Sequence, residues 1–342
     1  NENNLTWDFA ALMVRRTRSE IRKYYETDLS KQKLRFPDVI EPTPVFYEFN
    51  DLEDRAFQET MDFIKVFKYS RYTPMLYYKG TITEQEKQGQ RNLTTFMKML
   101  LVKRFESSIY AFKKTLERFI HSYELMIEEY GKGNVYVSNK NANKLFELLS
   151  EQDEDGLLDL ISGGKAEVYK SIDFRDEILL DMKFDLNILK QVSASWENVK
   201  RDVKLERFLN ILESDKVLNR NKLLIFTESQ ETADYLSDKI GEKYPDSVLN
   251  YTGASSISKR FEVITNFDAK SKVQEDTYRI LVTTDVLAEG VNLHRSNCVI
   301  NYDIPWNPTR MIQRVGRINR VDTKFKEIYT YNFFPTSQAN DE

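Results

Sequence analysis

Within the stretch PWNPTRMIQRVGRINRVD, residues 305–322, four side chains able to handle phosphate fall inside eight positions: Gln313, Arg314, Arg317 and Arg320, with Gly316 between two of the arginines. On a helix, positions three and four apart are neighbours, so the arginines drift along one face. Like charges at that spacing repel by roughly 0.2–0.5 kcal/mol per pair unless an anion lies among them, and the glycine weakens the helix by about another 1 kcal/mol. A solvated basic face accounts for the charges but not for the glycine. A polyphosphate accounts for both, because the planar, permanently charged guanidinium matches phosphate oxygens.

Other chemistries find little support. The single cysteine, Cys298, excludes an internal disulfide and any cysteine-built zinc site, and with only two histidines, His121 and His294, histidine-based metal catalysis has few ligands to draw on. No residue is assigned to a metal. None of the 11 glycines opens a G-x-x-x-x-G-K-[ST] loop: Gly164-Lys165 is followed by Ala166 and has the wrong spacing. DEDG at 153–156 and DEIL at 176–179 resemble a magnesium-binding acidic motif in letters only. At 41% hydrophobic and 30% charged, the 342 residues have a soluble globular composition with room for two domains. No apolar run approaches the ~20 residues of a membrane span, and a reduced, cytoplasmic setting is expected, nucleoid association included. The chain begins at Asn1 rather than Met, and we expect it to be a piece of a longer protein. Net charge is −4, with the acidity concentrated in 151–200, where 12 acidic side chains face 6 basic ones. Any contact with nucleic acid must therefore be local, made by patches and backbone amides.

The elements that must position the arginines change character along the chain. Residues 1–50 hold a basic helical stretch and then RFPDVIEPTPVFYEF, which Pro37, Pro42 and Pro44 make extended. Residues 51–200 are aromatic-rich and almost proline-free. From Thr94 to Gly133, apolar residues recur at three- and four-residue steps, which predicts one long amphipathic helix with Phe105, Tyr110, Phe112, Phe119 and Tyr123 in its core face. DEDGLLDLISGG reads as a turn and short helix without chemistry. From residue 201 to 336 the pattern alternates: KLLIF, SVLNYTG, YRILVTTD, NCVINYD and EIYTYNFF read as strands separated by helices. Uniformly apolar strands between helices predict a parallel sheet covered on both faces, in which ligands bind beyond the carboxyl ends of the strands. Polar clusters stand at those ends: Thr227-Glu228-Ser229, Tyr251-Thr252-Gly253 and Thr283-Thr284-Asp285. The arginine segment starts on the same rim, after NCVINYD.

Several of these stretches resemble, in order and spacing, the motifs of the second RecA-like lobe of superfamily 2 helicases and translocases. KLLIFTESQETADYL is similar to the fourth motif, YTGASSISKRFEVITNFD to the segment after it, and ILVTTDVLAEGVNLHRSNCVINYDIPWNPTRMIQRVGRINRVD to motifs five and six. The flanks LMVRRTRSEI, RFPDV and LLVKRFESSIYAFKKTL, with Trp-Asn-Pro ahead of the arginine motif, resemble bacterial Swi/Snf-type ATPases, including the RapA-like translocases. Motif five departs from the eukaryotic remodeller form and is closer to bacterial and DEAD-box-like versions.

The resemblance implies a RecA-like parallel sheet flanked by helices, preceded by a largely helical insertion at 51–200, with 1–50 linking to a first ATPase lobe. It implies an ATP hydrolase that uses Mg2+ held by that first lobe, and a lobe that does not turn over ATP by itself. By position in the motif, Arg317 and Arg320 would be arginine fingers. Gln313 would face the γ-phosphate or its attacking water, and Gly316 would allow close approach of the facing lobe. Gly290 would let the backbone turn beside the nucleotide, with Glu289 and Asn292 near the ribose or motif six. Arg314 has two readings, a phosphate contact or an ion pair to Asp285 or Glu289. Thr227, Ser229, Thr252, Gly253, Thr283 and Thr284 are candidates for nucleic-acid backbone contact, each hydroxyl having a helix cap or turn as its alternative. Asp303 and Trp306 read as a turn former and a packing residue. Three functions stay open: a double-stranded-DNA translocase lobe, the lobe of a strand-separating RNA or DNA helicase, and a RecA-like interaction module.

Overall fold

The computed structural model describes residues 18–32, 34, 36–137, 167–287, 291–321 and 323–335. In chain order these form helices α1 (Arg18–Tyr24) and α2 (Glu26–Lys31), strands β1 (Asp38–Val39) and β2 (Thr43–Tyr47), and helices α3 (Asp51–Val66), α4 (Glu84–Ser107) and α5 (Ile109–Gly131). Strands β3 (Asn134–Val137) and β4 (Glu167–Lys170) and helices α6 (Glu177–Glu197), α7 (Val203–Ser214) and α8 (Lys216–Arg220) follow. The last part runs β5 (Leu223–Phe226), α9 (Gln230–Lys243), β6 (Val248–Tyr251), α10 (Ile257–Phe267), β7 (Ile280–Thr283), β8 (Cys298–Asn301), α11 (Pro308–Gly316) and β9 (Glu327–Pro335).

The expected RecA-like α/β architecture is observed. One all-parallel sheet has the order β1-β9-β8-β5-β7-β6, with β2 also pairing β9. Its central strands are buried on both faces because successive side chains alternate between two cores. Leu223 and Ile225 join Phe208, Leu236 and Tyr302 on one face, while Leu224 and Phe226 join Phe267, Leu281 and Val299 on the other. Residues 38–47, read as part of a linker, instead supply two strands to this sheet, extended as their prolines require. DEDGLLDLISGG lies outside the described residues. Among the described residues, no helix is long and apolar enough to cross a membrane.

The single long helix expected over 94–133 is two helices broken at Ser108, whose backbone is extended (φ −161°, ψ 151°). The Ser108 hydroxyl accepts from Ala111 N at 3.0 Å and caps α5. A serine pair inside an apolar-periodic run is a helix boundary signal that periodicity alone overrides. Phe105, Phe112, Phe119 and Tyr123 lie in or against the helical core with Trp196, whose indole donates to Thr60 Oγ1 at 2.8 Å. Tyr110 does not. It stacks on Tyr235 of α9, centroids 4.7 Å apart and rings within 5° of parallel, tying the helical part to the sheet domain. At the far end, Gly133 takes φ 92°, a conformation side chains rarely adopt, and closes α5 through its N–H to Tyr130 O.

Candidate functional site

The carboxyl ends of β5, β7 and β8 meet at one rim, and the polar residues that follow each strand interlock there. After β7 the chain turns at Asp285. Both Asp285 oxygens take a fork from Arg314: Nε to Oδ1 at 2.6 Å and Nη2 to Oδ2 at 2.9 Å. Arg314 Nη1 also donates to Asn301 Oδ1 at 3.0 Å and to Asp303 O at 3.2 Å, and the guanidinium sits 5.3 Å from the Phe226 ring centroid. Arg314 is fully buried. Burial alone would lower its pKa, but the Asp285 carboxylate, helped by Asp303 and Glu228, holds it above the ordinary arginine value, so the guanidinium stays charged. Of the two readings of Arg314, the ion pair to Asp285 is the one formed.

Helix α11 starts at a proline turn capped by Asn307, whose side chain accepts from Thr309 N at 3.0 Å. It stops at Gly316, so the three arginines do not share one helix. Arg317 is the C-cap, and tight turn bonds from Arg317, Ile318 and Arg320 N–H groups carry the chain onward. Arg314 faces inward, whereas Gln313, Arg317 and Arg320 are half-buried at the surface. Arg320 Nε is buried without a hydrogen-bond partner among the described residues, which suits an incoming anion. The main-chain carbonyl of Arg317 accepts from Leu293 N at 3.0 Å, holding half-buried Asn292 beside the arginine segment. Glu289 and Gly290 lie outside the described residues. A Cβ added at Gly316 would meet nothing within 4 Å, so nothing among the described residues demands the glycine.

The hydroxyl candidates divide. Thr227 and Ser229 are fully buried. Thr227 Oγ1 donates to Asp303 Oδ2 at 2.5 Å, and Ser229 Oγ accepts from Arg104 Nη1 at 2.5 Å and caps α9. Thr283 is buried with its hydroxyl turned to Thr284 O at 3.0 Å. These three are the capping and turn alternatives. Thr252 is buried in a turn closed by Ser255, while Gly253 is exposed and Thr284 half-exposed.

What the sequence did not disclose is the last turn of α4, which plugs into this rim. Asp303 is its receptor: Oδ2 also accepts from Ser107 Oγ at 2.7 Å, and Oδ1 accepts from Glu228 N at 2.8 Å. Ser107 and Ser108 hydroxyls each lie 2.8 Å from Thr232 Oγ1. Lys103 Nζ pairs with Glu228 Oε2 at 3.0 Å and stands 5.0 Å from the ring centroid of Trp306. The serine pair in RFESSIY was the available signal.

From the other side, Lys204 Nζ on α7 donates to the carbonyls of Glu106 (2.5 Å) and Ser107 (2.9 Å), placing a cation at the carboxyl end of α4. Burial pushes its pKa down from 10.5 to about 8, with Asp303, Asp202 and Glu106 opposing. An unfolded chain keeps this proton up to the ordinary lysine range, so between the two values the folded state binds fewer protons and unfolding free energy rises with pH. Urea unfolding at about pH 7 and about pH 10 should show the wild type gaining on Lys204→Met across that window. A pH-independent difference would mean the ammonium is not desolvated.

Residues 203–322 match the family model of the Helicase conserved C-terminal domain. The chain is 28% identical over 172 residues to an uncharacterized ATP-dependent helicase, YqhH, of Bacillus subtilis, covering 46% of this chain and 28% of that protein. It is 32% identical over 152 residues to the ATP-dependent RNA helicase uap56 of Schizosaccharomyces pombe, covering 43% and 32%. The C-terminal part of the Fun30 ATPase domain is a structural neighbour at 15% identity and a TM-score of 0.42, covering 89% of this chain and 87% of the other. The chain spans well under half the length of the curated relatives it matches.

Proposed function

We propose that this chain is the second lobe of an ATP-driven double-stranded-DNA translocase of Swi/Snf type, placing Arg317 and Arg320 against ATP held, with Mg2+, by a first lobe. One observation carries the reading: the arginine cluster is divided in labour. Arg314 is consumed by Asp285, Asn301 and the Asp303 carbonyl, while Gln313, Arg317 and Arg320 stay at the surface and Arg320 keeps a buried Nε without a partner among the described residues. Guanidiniums at the surface of this segment suit the charge that spreads over a transferring phosphoryl group. The open space at Gly316 admits a facing lobe.

Nucleic-acid contact then falls to Gly253, Thr284 and the turn at Thr252, since Thr227, Ser229 and Thr283 hydroxyls are committed inside the fold. Such contacts grip phosphates and read no bases. The helical part, seated on the same rim, favours a duplex-tracking motor. The second reading, a strand-separating helicase, draws on the RNA-helicase name of one relative. ATPase titration of a protein carrying both lobes decides between them. Blunt duplex DNA should stimulate turnover better than single-stranded RNA, with no strand separation and with a loss that steepens as salt rises, and the chain alone should be inactive. Preference for RNA or processive unwinding would favour the helicase, and indifference to both polymers an interaction module.

A further inference from the structure

We infer that Lys103 and Ser107, in the last turn of α4, are positioning residues for α11, so that the helical subdomain sets the geometry of the arginine segment. The inference rests on the roles just proposed for Arg317 and Arg320. Two separate connections run from α4 to α11, each through a shared group. In the first, Glu228 lies between two cations: its Oε2 is 3.0 Å from Lys103 Nζ and its Oε1 3.6 Å from Arg310 Nη1. Arg310 in turn stands 3.3 Å from Asp285 Oδ2, the oxygen that Arg314 Nη2 also holds. Charges therefore alternate along Lys103, Glu228, Arg310, Asp285 and Arg314, and the side chains of Lys103 and Glu228 are only 9% and 7% exposed. Salt screens so enclosed a row poorly.

The second connection runs through hydrogen bonds to one residue. Ser107 donates to the Asp303 carboxylate, and the main-chain carbonyl of the same Asp303 accepts from Arg314. Lys103 adds a third touch, on the Trp306 ring in the loop that leads into α11. Without Lys103, Glu228 still has Arg310 3.6 Å away. Arg310 is then drawn toward Glu228 and off Asp285, which loosens the first turn of α11. A purely adhesive joint between subdomain and sheet would have no need to share its carboxylates with the arginine helix.

In a protein carrying both lobes, Lys103→Met should lower DNA-stimulated kcat about 10-fold, the size of a typical coupling between linked sites, with KM for ATP little changed. Arg310→Met should do the same, the double variant should be no worse than the poorer single, and Lys103→Arg should restore turnover. Independently of activity, hydrogen exchange of the α11 amides should quicken in Lys103→Met while β5 and β7 stay protected. Should Lys103→Met not fold, Ser107→Ala takes its place with the same two readouts. Unchanged exchange at α11, or a lowered melting temperature with normal kcat, overturns the positioning role. Arg317→Lys serves as the control on the premise: normal kcat in that variant with quickened α11 exchange in Lys103→Met would overturn the finger reading and leave the mechanical link standing.

Discussion

Replacing Arg317 with lysine in a protein carrying both lobes should lower kcat by about 10³-fold or more, and Arg320→Lys should do likewise. Lysine keeps the charge, so a loss of this size must come from the fork: five donors in a plane against three on a flexible stem. ATP affinity should fall far less, because charge on the transferring group is greatest in the transition state and interactions made only there act on kcat. Arg317 suits the part. It caps α11, its own carbonyl is pinned by Leu293, and its side chain stays half-buried at the surface. Steady-state kinetics on the two variants settle the assignment, and a defect confined to KM would make these arginines ground-state binders.

The sheet was legible because each of its strands is a short apolar run between helices, a pattern with one physical solution. KLLIF, NCVINYD and their neighbours all became strands, and the polar clusters after them did converge on one rim. What the pattern could not convey is what covers that rim. Thr227 and Ser229 look like open hydroxyls in the sequence, and only the return of α4, more than 100 residues earlier in the chain, buries them. Ser107 and Ser108 were hidden by periodicity, since apolar residues continue at helical spacing on both sides of the break. The arginine segment misled differently. Spacing placed Arg314, Arg317 and Arg320 on one helix face, yet the helix ends at Gly316 and, of these three, the Asp285 carboxylate claims only Arg314.

That claim makes the Arg314–Asp285 pair one whose loss should cost the fold heavily. Arg314→Met removes both arms of the fork on Asp285 and leaves Asn301 Oδ1 and the Asp303 carbonyl without the donor they share. Breaking one side of a buried pair typically destabilises by about 3–5 kcal/mol, because the surviving charge stays desolvated. Here Arg310 remains 3.3 Å from Asp285, so the loss should fall toward the lower part of that range. Asp285→Asn should cost as much or more, since the fully buried guanidinium then has no carboxylate in its fork. The double variant should lose clearly less than the two singles added, the mark of a direct interaction. Urea unfolding of the four proteins measures all of this at once. Additive losses, or a single-variant loss below about 1 kcal/mol, would mean that the pair behaves like an exposed ion pair and does not fasten the segment after β7 to α11. A buried, coupled pair has a functional corollary. The segment after β7 and the helix that ends at Gly316 then move as one body, and on the roles proposed above a displacement of Thr284 is felt three residues from Arg317.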